Sequence, residues 1–193
     1  MALLLKLSRG IDTINRWIGR SFALMVLLAI LVSAGNATVR KVFDLSSNAW
    51  LELQWVLFSM VFLLCAPWTL LSNEHVRIDI VNSMLPRPVR STIELVGHAL
   101  FLLPLTLIMI ITSVPFFLNS FRLNEQSASS GGLPQWPAKS LIMIGFALLA
   151  LQGVSELIKR VGVMRGIIPD PHAAQRSAVE AEIEHIVEGT QKR

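Results

Sequence analysis

Four apolar runs, each bounded by charge, organise this chain. Ser21–Val39, Leu53–Asn73, Leu95–Phe121 and Ser140–Ser155 contain no Asp, Glu, Lys or Arg. A helix needs about 20 residues to cross the roughly 30 Å of hydrocarbon in a bilayer. Three runs meet that length directly. The fourth does so with Trp136 and Lys139 anchoring one end and Glu156, Lys159 and Arg160 the other. The pattern predicts an all-α integral membrane protein with a four-helix membrane domain over residues 21–165.

The periodicity changes outside that domain. In segment 1–20, Leu3, Leu4, Leu7, Ile11, Ile14 and Ile18 recur mostly three or four apart, with Lys6, Arg9, Asp12, Thr13, Arg16 and Arg20 filling much of the other face. This spacing predicts an amphipathic helix. Two placements stay open: a helix lying in the membrane interface, or an upstream extension of the first span. Residues 166–193 form a polar tail. It is broken by Asp170-Pro171-His172 and is expected to be mobile, with a short apolar face at Ile183, Ile186 and Val187 as the alternative.

Smaller signals mark the ends of the spans. Trp50 and Trp55 flank the start of the second, Trp68 its end, and Trp136 the start of the fourth, as interfacial aromatics do. Pro67 predicts a kink in span two, and Pro104 and Pro115 predict a bent span three. Residues Asn119–Gly132 read as a flexible polar loop.

Composition agrees with the membrane class. Hydrophobic residues make up 53% of the chain and charged residues 16%, whereas soluble domains carry about 25% charge. The net charge of +4 is no nucleic-acid footprint, because its distribution follows the spans. Lys6, Arg9, Arg16, Arg20, Arg77, Arg87, Arg90, Lys159, Arg160 and Arg165 fall on one side, and Arg40, Lys41, Arg122 and Lys139 on the other. Ten against four predicts that both termini and the middle loop are cytoplasmic. The single cysteine, Cys65, excludes an internal disulfide.

Candidate chemistry is sparse. Glu52 opens the second run, with Gln54 two residues on; it reads either as a contact to a partner protein or as a carboxylate in interfacial water. The densest polar cluster runs from Glu74 through His75 and Arg77 to Asp79. His75 and Asp79 pair if the segment is helical, and a structural polar turn is the favoured reading. A metal site needs more ligands than this cluster offers. His98 reads as a hydrogen-bonded packing residue. Asn36, Gln152 and Glu156 form no local motif. No nucleophile motif, phosphate loop or zinc spacing is present, so neither enzyme activity nor a cofactor is expected.

At these residues the chain resembles a family. Trp50-Leu51-Glu52-Leu53-Gln54-Trp55, then Glu74-His75-Val76-Arg77-Ile78-Asp79, then Gly131-Gly132-Leu133-Pro134-Gln135-Trp136-Pro137-Ala138-Lys139 leading into Gly145–Gln152, is similar to the small four-span permease subunits of tripartite ATP-independent periplasmic (TRAP) transporters. The likeness covers roughly residues 15–165. Many members carry two successive acidic residues after the tryptophan, whereas here Leu53 follows Glu52. Trp50–Trp55 looks like the branch grouped with mannitol and chloroaromatic-acid systems. The resemblance implies a bacterial inner-membrane protein that scaffolds a large multi-span, elevator-type permease subunit. It further implies a periplasmic substrate-binding protein, a sodium gradient and an organic-acid substrate. It marks Trp50, Glu52, Gln54, Trp55, Glu74, His75, Arg77, Asp79 and Trp136 as partner-contact or structural positions. The competing reading is a four-helix membrane anchor of a redox enzyme, which needs haem-ligating histidines deep in the spans; only His98 lies inside one.

Overall fold

The computed structural model describes residues 1–44, 47–72 and 87–169. Its elements are α1 (Ala2–Ala23), α2 (Met25–Phe43), α3 (Asn48–Leu71), α4 (Arg87–Gly97), a π-helical turn (His98–Leu102), α5 (Leu103–Arg122) and α6 (Trp136–Met164). Among the described residues there is no strand, only one isolated bridge between Gln126 and Pro134. Four helical stretches are long and apolar enough to cross a membrane: Ala2–Phe43, Asn48–Leu71, Thr92–Arg122 and Trp136–Met164. The 24 residues of α3 rise about 36 Å at 1.5 Å each, enough for the hydrocarbon layer. The cluster Glu74–Asp79 and the tail beyond Pro169 lie outside the described residues.

Side-chain contacts fix the helix directions. Gly19 of α1 lies against Trp68 of α3, while Ala29 and Val32 of α2 pack with Leu57 and Leu53 further back along α3. The chain from the end of α1 through α2 therefore runs antiparallel to α3. Gly145 of α6 meets Leu63, and Leu133 just before α6 meets Glu52, so α6 runs parallel to α3. Gly153 meets Leu102 and Leu103, and Trp136 meets Phe121, so α5 returns antiparallel to α6. Ala2 and Met164 consequently lie at one end of the bundle. The ends of α2 and α5 and the starts of α3 and α6 lie at the other.

The N-terminal segment is helical and continues into the first span. Leu24 interrupts the regular pattern, but its backbone stays right-handed helical (φ −66°, ψ −19°), so α1 leads directly into α2. Its docking face is the unexpected one. Ser8, Asn15 and Gly19 are buried, while Leu3, Leu7, Ile14 and Trp17 are exposed. In water an amphipathic helix buries its apolar stripe. Against a membrane bundle the exposed apolar side is solvated by lipid, and polar groups gain more from meeting each other.

The prolines act locally. Pro104 lacks the N–H that would bond the Leu100 carbonyl, and its ring crowds that carbonyl. The chain responds immediately upstream with the π turn, where the Leu103 N–H donates to the His98 carbonyl five residues back. Pro67 and Pro115 lie inside helices that continue past them. Pro67 also removes the usual helical donor to the Leu63 carbonyl. That carbonyl faces Gly145, whose missing side chain permits the approach: a Cβ there would stand 3.0 Å from the oxygen.

Candidate functional site

Two polar assemblies, one at each end of the bundle, hold the chain's most distinctive side chains. At the end carrying Ala2, α1 and α6 present matching polar stripes. Ser8, Asp12, Asn15 and Gly19 recur on one face of α1, and Gln152, Ser155, Glu156 and Lys159 on one face of α6. Gln152 has no exposure and Asn15 has 1%. The Asn15 Nδ2 donates to Gln152 Oε1 at 2.8 Å. The Gln152 Nε2 donates to Asp12 Oδ1 and to Glu156 Oε1, each at 2.9 Å, so the amide uses both donors and its acceptor.

The Asp12 carboxylate is the hub. Its Oδ1 also accepts from the Ser155 hydroxyl at 2.7 Å, and its Oδ2 from Lys159 Nζ at 3.1 Å. Lys159 Nζ reaches Glu156 Oε1 at 2.5 Å as well. Ser8 and Ser155 hydroxyls lie 2.7 Å apart. One turn on, Arg160 of α6 pairs with Glu94 of α4 and ties the third helix in. A buried carboxylate is unfavourable unless paired and hydrogen-bonded; Asp12 has one cation and two neutral donors. The Asn15 Oδ1 is left without a partner.

At the opposite end, Glu52 clamps the segment before α6. It is 8% exposed. One carboxylate oxygen accepts from the Ser127 hydroxyl, and the other from the Leu133 N–H at 2.6 Å. Gly132 makes room, since a Cβ there would lie 2.6 Å from Glu52 Oε1 and 2.5 Å from Ser127 Cβ. The loop expected to be flexible is thus tied down. Ser127 N–H donates to Leu133 O at 3.2 Å, Gln135 N–H to Glu125 O at 2.9 Å, and Asn48 Nδ2 to Ser130 O at 2.9 Å. Lys139 pairs with Glu125 and sits 4.2 Å from the centre of the Phe116 ring. Lys139 holds the Glu125 carboxyl below its ordinary pKa. A recess of about 460 Å³ opens between α3 and this loop, lined by Glu52, Trp55, Ser59, Ser127 and Pro134 among others.

The positions singled out in the sequence separate accordingly. Glu52 bonds within its own chain. Gln54 is half-buried, and Trp50 and Trp55 are exposed at 51% and 65%. Trp136 packs edge-on against Phe121 with centroids 5.5 Å apart. Glu74, His75, Arg77 and Asp79 are not among the described residues. A ring nitrogen of His98 lies 2.6 Å from the Glu94 carbonyl oxygen. Among the described residues no three His, Cys, Asp or Glu side chains gather as metal ligands do. Reasoning from the sequence missed Asp12, Asn15, Ser155, Lys159 and the Glu94–Arg160 pair as partners. The available signal was the pair of polar stripes, each recurring at helical spacing and each opposite apolar residues.

The comparison with protein families accounts for this architecture. The profile of the DctQ component of tripartite ATP-independent periplasmic transporters matches residues 28–162. No curated protein and no solved structure gave a match. The match covers most of the chain and all but the first helix of the bundle, and the chain belongs to the DctQ family. It is a multi-pass membrane component of a transporter and not an enzyme.

Proposed function

We propose that this chain is the scaffold subunit of its transporter and offers no substrate path of its own. One observation carries the reading: the largest polar groups inside the bundle, Asn15, Gln152 and Glu52, are engaged within this chain, while the exposed faces of α2, α3, α5 and α6 are mostly apolar. Gln152, Asp12, Ser155, Lys159 and Glu52 hold together parts of this chain. The buried side-chain atoms without partners among the described residues, Asn15 Oδ1 and Ser120 Oγ, stand at opposite ends of the bundle. They do not converge. A substrate site at mid-membrane needs several polar groups aimed at one place, since an organic anion left unpaired in hydrocarbon is costly.

In this reading a large multi-span permease subunit packs on the apolar faces and carries the moving parts. A soluble periplasmic protein delivers an organic acid, and a sodium gradient drives uptake. The family supports the existence of such partners; the engaged polar groups support the division of labour. The distribution of basic residues supports an inner-membrane orientation with Ala2 and Met164 at the cytoplasmic end.

The test is co-expression with a large permease subunit of the same transporter family from the same organism. The tagged chain should retain that subunit through detergent purification. A cysteine at Ser129 should react with an impermeant thiol reagent from outside and one at Arg165 should not, in a Cys65→Ala background. Purification as a complex of this chain alone, with the large subunit present, would oppose the reading.

A further inference from the structure

We infer that α1 carries a binding surface for anionic phospholipid headgroups. The inference rests on α2 crossing the bilayer and is independent of the transport reading.

Helix α1 has three sides. At 3.6 residues per turn, Ser8, Asp12, Asn15 and Gly19 share the side docked on α3 and α6. Leu3, Leu7, Ile14 and Trp17 form a second side, exposed at 80%, 57%, 56% and 71%. Lys6, Arg9, Arg16 and Arg20 form the third, and all four are exposed. Asp12, the sole acidic residue of α1, faces the bundle and is held by Lys159. The four cations therefore have no carboxylate on their own helix to meet. Among the described residues their only hydrogen bond is from Arg9 Nε to the Leu5 carbonyl, at 3.4 Å within the same helix.

An apolar strip beside a cationic strip, with a tryptophan at their border, matches the edge of a bilayer. Chains of Leu and Ile enter the acyl region, the indole sits at the carbonyl level, and long cationic side chains reach the phosphates. The location fits the same partner. Arg20 directly precedes the apolar run Ser21–Val39, and α1 continues through Leu24 into the spanning α2. A headgroup layer necessarily lies next to that junction. The charge then selects the headgroup: four cations with no carboxylate partner among the described residues attract anionic lipid, at about a fivefold gain in local affinity per cation near the surface. Docking by the polar side fixes how α1 turns the other two. The buried network with α6 thus orients the lipid-binding surface.

The test uses the full-length chain in nanodiscs of phosphatidylcholine mixed with phosphatidylglycerol. Native mass spectrometry of the extracted protein should show phosphatidylglycerol enriched over its share of the disc. Arg16→Gln should lower that enrichment about fivefold, the combined Lys6, Arg9, Arg16 and Arg20→Gln variant should abolish it, and the matching Arg→Lys variant should keep it. These side chains are exposed, so thermal melting in detergent should be unchanged. A spin label at Leu7→Cys, in a Cys65→Ala background, should collide with oxygen more than with a water-soluble nickel chelate. Equal retention of the two lipids by the native chain would overturn the proposal. So would enrichment that survives loss of all four cations, or a water-facing label at position 7, which would mean that a protein partner covers this side.

Discussion

Asn15 and Gln152 lie 137 residues apart in the chain and meet through a 2.8 Å hydrogen bond, both buried. This pair joins the first helix to the last. It sits beside Asp12, Ser155, Glu156 and Lys159, so one end of the bundle is closed by polar contacts rather than by apolar packing. In lipid such contacts direct helix association, because apolar faces gain little by leaving a medium as apolar as themselves. The opposite end is closed in a different way, by Glu52 holding the loop that precedes α6.

Removing one member of the inner pair should leave its partners unsatisfied. Gln152→Ala strips an acceptor from Asn15 and a donor from Asp12 and Glu156. A loss of about 1–3 kcal/mol is expected for such a buried change. Asn15→Ala should cost less, because its Oδ1 is already without a partner. The double variant should be more stable than the sum of the singles by roughly 0.5 kcal/mol or more. Thermal melting in detergent checks this, and strict additivity would mean that the two side chains do not interact.

Three glycines should be intolerant and one indifferent. A Cβ at Gly19 would lie 2.4 Å from Trp68 Cβ, and one at Gly145 would lie 2.8 Å from Leu63 Cβ. Gly19→Ala and Gly145→Ala should therefore push α1 and α6 off α3 and cost about 1–3 kcal/mol. Gly132→Ala should displace Glu52 or Ser127 and speed hydrogen exchange at the Leu133 amide. Gly35 has open space around it, so Gly35→Ala should be neutral or stabilise by up to about 1 kcal/mol through helix propensity.

Acid should loosen the outer loop in a defined direction. The Glu125 carboxyl is held below its ordinary pKa, first by the hydrogen bond from Lys139. A group with a depressed folded pKa adds stability that is complete above its unfolded value and fades as pH falls through the folded one. Exchange of the Gln135 amide, which donates to the Glu125 carbonyl, should be insensitive near neutrality and accelerate only in acid, after correction for intrinsic rates. Lys139→Met should move that acceleration to higher pH. An unchanged midpoint would show that Lys139 does not set it.

The spans were legible in the sequence because 20-residue apolar runs have few other uses. The α1 periodicity was legible too, but not which side docks. Leu3, Leu7 and Ile14 form a stripe whether they face a protein core or lipid, and the pattern alone carries no sign. The network around Asp12 was hidden because its partners come from α1 and α6, which no local spacing connects. Glu52 was found as an unusual carboxylate at the start of an apolar run. Its partners, Ser127 and the Leu133 amide, depend on a loop closing over it 75 and 81 residues later. The prolines of span three predicted a bend; the described irregularity is a π turn just upstream of Pro104, while Pro115 lies inside a continuing helix.

The central claim is that this chain supports transport without conducting it. The direct measurement is uptake into liposomes with an inward sodium gradient, the soluble binding protein and its labelled organic-acid ligand. Liposomes holding both membrane subunits should accumulate the label, and those holding the large subunit or this chain alone should not. Accumulation by this chain alone would contradict the account.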